Sequence, residues 1–128
     1  MNDAINFGKF IELHFLIDLD NYMFENKKKF QIYTPFLDDN GIDYVIRTDS
    51  GEYIEFQIKG RKEKRIFTIT QDFKPRKNYL FIFYCVNEKD RYILSSKEVA
   101  KMLTDNNHIH MTKDMEKYKK KNFDCIFK

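Results

Sequence analysis

The chain contains only two cysteines, two prolines and four glycines among 128 residues. Cys85 lies inside an apolar run and Cys125 lies close to the last residue, and this spacing suits neither a disulfide framework nor a zinc site. No apolar run approaches the roughly 20 residues that span a bilayer. The first five residues also lack the basic start and apolar stretch of a secretory signal. These absences predict a cytoplasmic protein with reduced cysteines and no membrane span.

The length of the chain predicts one domain over residues 1–128, because no internal repeat or low-complexity linker divides it. Hydrophobic residues make up 42% of the sequence and aromatic residues 16%, which is enough for a packed core. The net charge is only +3, from 23 basic and 20 acidic residues. The total charge therefore indicates little about partners.

The distribution of charge is more informative than the total. Between Asp38 and Gln57 acids outnumber bases six to one, and between Gly60 and Lys77 bases outnumber acids seven to two. An acidic pocket beside a basic rim is one arrangement expected of a protein that holds a divalent cation against a polyanion. The alternative is that both runs are solvated charged faces. The candidate phosphate-binding residues are Arg61, Lys62, Lys64, Arg65, Lys74, Arg76 and Lys77.

The first element is predicted to be a helix from about Ala4 to Tyr22. Its small and apolar residues recur every three or four positions, at Ala4, Gly8, Ile11, Phe15, Leu19 and Tyr22. Glu12 lies next to this apolar face, where an unpaired carboxylate is costly to bury. Glu12 therefore needs a partner.

The most informative stretch of the sequence predicts a β-hairpin. Residues 42–47 and 54–59 alternate apolar and polar side chains, and Asp49-Ser50-Gly51 suits a three-residue loop whose glycine takes the left-handed position. If Thr48 pairs with Glu52, Asp43 lies directly opposite Gln57 on one face of the sheet. Lys59 follows on the same face.

The remaining segments predict a mixed α/β domain. Extended segments are expected at 30–36, 65–70, 79–86, 91–94 and 123–127, a helix that begins at Ser95 or Ser96 and ends near Leu103, and a polar helix at 112–121.

Asp43, Gln57 and Lys59 on the hairpin, with Glu12 on the helix that covers it, predict a small site lined by oxygen atoms. Mg²⁺ binds one or two carboxylates, carbonyl oxygens and waters. Glu12 and Asp43 would supply the carboxylates, while the Gln57 amide oxygen and the Ile58 main-chain carbonyl would complete the ligands. Lys59 would orient the attacking water or neutralise a phosphate.

These residues form a recognisable pattern. Gly41-Ile42-Asp43, followed after thirteen residues by Gln57-Ile58-Lys59-Gly60 and preceded by Gly8 and Glu12, resembles the PD-(D/E)xK nuclease superfamily, and most closely its Holliday junction resolvase-like branch. The resemblance covers about residues 7–94. It implies a restriction-endonuclease-like α/β fold, with a mixed central sheet of four or five strands flanked by helices. It also implies a Mg²⁺- or Mn²⁺-dependent endonuclease acting on DNA, including branched DNA and without excluding RNA, with catalytic residues Glu12, Asp43, Gln57 and Lys59.

Two positions depart from the family pattern. Ile42 stands where many members have proline, and Gln57 replaces an acid, which lowers the charge of the site by one and favours weaker metal binding. Glu55, two residues earlier, is a candidate to replace that charge. The alternative function is a catalytically inactive module of the same fold that binds nucleic acid or a protein partner.

The protein is also expected to assemble with a second copy of itself. Cutting both strands of a duplex needs two sites, and the related resolvases are two-fold dimers, so the resemblance implies a homodimer. The aromatic segments 30–36 and 123–127 are the predicted apolar surface for it.

Overall fold

A computed structural model describes residues 3–35, 41–63, 66–69 and 73–127. Asp38, Asp39, Lys64 and Arg65 lie outside the described residues, as does Phe36. The elements are α1 (Asp3–Asn26), β1 (Gln31–Tyr33), β2 (Tyr44–Arg47), β3 (Tyr53–Arg61), β4 (Ile66–Thr68), β5 (Tyr79–Cys85), β6 (Asp90–Ser95), α2 (Ser96–Met102), β7 (His108–His110), a 3₁₀ helix (Lys113–Tyr118) and α3 (Asp124–Phe127).

Five of the strands form a mixed central sheet in the order β1-β2-β3-β5-β6. The β3 and β5 strands are parallel, whereas the other neighbouring pairs are antiparallel. The prediction of a mixed α/β protein with a central sheet of four or five strands is therefore confirmed.

The hairpin between β2 and β3 has the predicted loop. The Thr48 N–H donates to the Glu52 carbonyl at 2.8 Å, and Gly51 has a φ of 85°, the left-handed conformation that glycine adopts without strain. Tyr44 pairs with Phe56 in the predicted register.

The two faces of the sheet are covered by different layers. The α1 helix packs on one face through Ile11, Phe15, Leu19 and Tyr22, as predicted, but Gly8 is exposed and does not belong to this stripe. On the opposite face, α2 and the β4–β7 pair cover the inner aromatic side chains of β5. Helical and strand layers thus bury the sheet on both sides.

A close approach between α1 and β3 sets the position of the helix. A Cβ atom placed on Gly60 would lie 2.3 Å from Cγ1 of Ile11 and 2.4 Å from its Cδ1. Only glycine leaves room for Ile11 here, and this contact sets the position of α1 on the sheet.

Several sequence predictions need correction. The strand expected at 65–70 forms as β4, but it pairs with β7 outside the central sheet. The polar segment 112–121 contains a 3₁₀ helix, and the extended end at 123–127 is instead the short helix α3. Phe123 and Phe127 are buried against α1, so they belong to the core and do not form a surface for a second subunit.

The predicted cap of α2 is confirmed. Ser95 caps α2, its side chain accepts from the Glu98 N–H, and the Glu98 side chain accepts from the Ser95 N–H. Cys85 and Cys125 are both free thiols. No helix in the described part of the chain is long and apolar enough to cross a membrane.

Candidate metal site

The strands β2 and β3 separate at Asp43. The Asp43 N–H donates to the Phe56 carbonyl at 2.8 Å, although Phe56 is already paired with Tyr44. Two residues of one strand thus face a single residue of the other, as in a β-bulge. The prediction that Asp43 lies directly opposite Gln57 is wrong for this reason: the register holds as far as Tyr44 and shifts at the bulge.

The bulge brings the Asp43 carboxylate into the gap that it opens. Oδ2 of Asp43 accepts the Ile58 N–H at 2.7 Å, a bond that takes the place of strand pairing. The N–H and carbonyl of one residue in a strand point to the same neighbouring strand. The Ile58 carbonyl is therefore directed to the same side of β3 as Asp43.

Glu12 reaches this region through Tyr44. Burial raises the pKa of Tyr44 to about 12, and the Glu12 carboxylate adds to the rise through its charge and through a hydrogen bond with the hydroxyl, followed by the charge of Asp43. Both carboxylates therefore lie near one tyrosine hydroxyl. The orphan acid predicted on α1 has its partner in Tyr44.

Asp43 also acts on the opposite face of the sheet. Burial raises the pKa of Tyr79 to about 12; the Arg76 guanidinium acts in the other direction, and the carboxylates of Glu55 and Asp43 add to the rise. Tyr44 belongs to the α1 side of the sheet and Tyr79 to the other side. Asp43 lies near the plane between them.

Gln57 is held tightly on the side away from α1. Its exposed fraction is 1%, and its Oε1 accepts from the Tyr79 hydroxyl at 3.0 Å. Gly41 has a φ of 74°, and a Cβ atom there would lie 2.8 Å from Nε2 of Gln57. These contacts hold the Gln57 amide in one orientation.

Lys59 shares the face of Gln57, since alternate residues of β3 point to the same side. Its side chain is half-buried beside its register partner Phe83.

Glu55 also lies on this side of β3. Its Oε1 accepts from both Nε and Nη2 of Arg76 at 2.8 Å, so the Glu55 carboxylate is engaged in an ion pair.

The arrangement of Glu12 differs from the sequence prediction. The helix α1 packs on the face of Ile54, Phe56 and Ile58, which is opposite to the face of Gln57 and Lys59. Glu12 therefore does not cover Gln57 and Lys59. Its link to Asp43 is the Tyr44 hydroxyl, on which both carboxylates act.

The predicted basic residues fall into two groups. Arg61 and Lys62 are exposed at the end of β3, while Lys74 and Lys77 are exposed before β5. The pairing of Glu55 with Tyr79 and of Arg61 with Cys85 places these groups about 20 Å apart along the sheet. The Arg76 guanidinium pairs with Glu55 and lies 4.4 Å from the Tyr79 ring centroid, so it is already engaged by groups of the protein.

The candidate ligand atoms are all oxygens: two carboxylates, one main-chain carbonyl and one side-chain amide. This set suits a hard cation such as Mg²⁺ or Mn²⁺ rather than zinc. Across residues 3–35, 41–63, 66–69 and 73–127, no group of three or more His, Cys, Asp or Glu side chains could hold a metal. A site here would therefore depend on the amide and main-chain oxygens as well as on the two acids.

Sequence reasoning missed Tyr44 and Tyr79, which connect the site residues. A tyrosine in an alternating strand has the pattern of any large apolar residue, so the sequence gives no sign of the partner of its hydroxyl. Their hydroxyls become visible as partners only when the bulge and the β3–β5 pairing are known. No protein-family model, curated protein or solved structure matches the chain.

Proposed function

We propose that the chain is a Mg²⁺- or Mn²⁺-dependent nuclease with a restriction-endonuclease-like fold that hydrolyses phosphodiester bonds of DNA. One observation supports this function above the others. The Asp43 carboxylate is fixed beside Ile58 in the gap between β2 and β3, and the Glu12 carboxylate hydrogen-bonds the Tyr44 hydroxyl, on which the charge of Asp43 also acts.

Each residue of the candidate site would have its own role in the reaction. Asp43, Glu12 and the Ile58 carbonyl would hold the cation, with the Gln57 amide oxygen as a further ligand. When bound, a divalent cation lowers the pKa of water and offsets charge on the phosphate. The Ile58 N–H keeps Asp43 in one orientation, and the Lys59 ammonium would stabilise negative charge that develops on the phosphate.

The direct test is incubation of the purified protein with supercoiled plasmid, branched DNA and RNA, with and without Mg²⁺ or Mn²⁺. Cleavage of a DNA substrate only in the presence of the cation is expected. Failure to cut any of the three substrates contradicts the enzymatic function.

A second candidate function is a catalytically inactive module that binds nucleic acid or a protein. The burial of Gln57 and its hydrogen bond to Tyr79 favour it, because a side chain so constrained can serve packing alone. Such a module needs no divalent cation. Binding of DNA with equal affinity with and without Mg²⁺, together with no cleavage, is the result that it predicts.

Exposed cations at the end of β3 should contact phosphates. Replacing Arg61 and Lys62 with glutamine should lower the log-log salt slope of duplex binding by about two units, because each phosphate contact contributes about 0.9. Fluorescence anisotropy over a salt series measures this slope. The same double change at the exposed Lys97 and Lys101 of α2 is the control and should leave it unaltered. An unchanged slope in the Arg61 and Lys62 variant would place the DNA on another surface.

A homodimer remains part of the proposal, since two sites are needed to cut both strands. The surface for it must differ from the buried Phe123 and Phe127. Large apolar side chains are exposed along the outer side of α1 and on β1, at Leu13, Ile17, Phe24, Ile32 and Tyr33. Sedimentation with DNA present should give twice the monomer mass, and a monomer would contradict the dimer.

A further inference from the structure

A cavity of about 400 Å³ lies between α1 and the turn that joins β5 to β6. Phe10 and His14 of α1 line one wall, while Tyr84, Val86 and Lys89 line the other. This volume lies within the range of small-ligand sites. The cavity is on the β5 side of α1, whereas the candidate metal site is on the β2 side.

Aromatic rings dominate the α1 wall of the cavity. Phe10 is 45% exposed, and its ring centroid lies 4.5 Å from that of His14 in an edge-to-face arrangement. The His14 ring lies 6.2 Å from the Tyr84 ring, and Phe7 continues the row at 6.3 Å from Phe10. Flat aromatic surface is thus presented to solvent at the mouth of a cavity.

The two acids of the cavity wall are each paired with a cation. Asp18 accepts from Nη2 of Arg91 at 2.6 Å and from the Tyr84 hydroxyl at 2.9 Å. Asp90 lies 3.7 Å from Nζ of Lys119. These pairings offset the negative charge that would otherwise repel a polyanion from the cavity.

Two exposed lysines stand at the rim. Lys89 lines the cavity, and Nζ of Lys62 lies 5.9 Å from the centroid of the Phe7 ring. The Lys62 carbonyl accepts from the N–H of Asn87, which places Lys62 beside the β5–β6 turn. Aromatic surface flanked by cations is the combination that binds single-stranded nucleic acid, with bases on the rings and phosphates on the cations.

We propose that this cavity receives an unpaired base of a single-stranded segment of nucleic acid, which stacks on the Phe10 ring with the His14 ring at its edge, while Lys62 and Lys89 contact the flanking phosphates. The inference rests on the proposed nuclease function, and it deepens that function by naming the substrate class: nucleic acid with unpaired bases near the cut, as in branched or frayed DNA. A fully paired duplex offers no base to the cavity.

The test measures binding without cleavage. Fluorescence anisotropy with a labelled oligothymidylate, in the absence of divalent cations, compares the wild type with Phe10→Ala and His14→Ala. Phe10→Ala should weaken binding about tenfold, since a stacked base contributes a factor of that order. Its salt slope should not change, because stacking releases no counterions. Binding to a duplex of the same length should also be unaffected.

Tyr53→Ala is the matched control, because Tyr53 is an aromatic residue of similar exposure, 55%, on β3 and outside the cavity. It should bind like the wild type. Equal losses in Phe10→Ala and Tyr53→Ala, unchanged binding in Phe10→Ala, or no oligothymidylate binding by the wild type would each overturn the proposal. The cleavage assay on the wild type separates the two proposals. Phe10-dependent oligonucleotide binding without any cleavage supports the cavity and contradicts the nuclease, whereas cleavage without Phe10-dependent binding does the reverse.

Discussion

Asp43→Asn should reduce Mg²⁺-dependent cleavage of plasmid DNA by more than about 100-fold, because even the outer partners of metal ligands change activity or affinity by roughly 10- to 100-fold. Asparagine retains an oxygen that can accept the Ile58 N–H, so the bulge should survive. Only the negative charge is lost. Cleavage rates at fixed Mg²⁺ measure the effect, with thermal unfolding as the check on folding.

Glu55→Gln is the matched control for this experiment. Glu55 lies on β3 near Asp43, but its carboxylate is paired with Arg76. A partly exposed ion pair contributes little to stability, so cleavage should change by no more than about twofold. Equal rates for Asp43→Asn and the wild type would remove Asp43 from the site, and a comparable loss in Glu55→Gln would show a general effect of charge.

Gly60→Ala should destabilise the fold by about 3 kcal/mol, at the upper end of the usual cost of overpacking. The added Cβ would lie 2.3 Å from Cγ1 of Ile11, and the branched Ile11 side chain is itself buried between α1 and β3. The helix must shift or Ile11 must leave its place. Urea unfolding monitored by circular dichroism gives the free energy of unfolding.

Gly8→Ala provides the opposite expectation on the same helix. No atom lies within 4 Å of a Cβ at Gly8, so alanine should stabilise α1 by up to about 1 kcal/mol through its helix propensity.

If Ile11 is the obstacle at Gly60, adding Ile11→Ala to Gly60→Ala should cost less than the two single changes together. A free energy of unfolding for Gly60→Ala equal to that of the wild type would mean that the protein relieves the close approach without cost.

The hairpin could be predicted from sequence because its rules are local. Alternation of apolar and polar residues identifies the strands, and Gly51 identifies the left-handed loop position. The bulge at Asp43 could not be predicted in this way. Its determinants include the Ile58 N–H, fifteen residues away along the chain, and the packing of Gln57 against Gly41.

The end of the chain shows a different limit. Phe123 and Phe127 fit an alternating strand, but a spacing of four also places two side chains on one face of a helix. The structure uses the helical option, and both rings pack near Tyr22 of α1. A segment of five residues is too short for its own periodicity to distinguish the two, and contacts with α1 decide the outcome.

The site was only partly accessible from sequence for the same reason. Glu12 and Asp43 could be singled out as an acid beside an apolar helix face and an acid in a strand pair. Their meeting point depends on Tyr44, on the bulge and on the Gly60 contact that positions α1. Each of these is a tertiary feature, so no local pattern encodes it.

Titration calorimetry with Mn²⁺ tests the central claim most directly, because it measures the metal site without requiring a substrate. The wild type and Glu55→Gln should each bind Mn²⁺ at one site, and Asp43→Asn should lose that binding. Lys59→Ala should keep the metal while losing cleavage. Mn²⁺ binding that is equal in the wild type and Asp43→Asn, or absent from the wild type, would contradict a metal site at the bulge and with it the nuclease function.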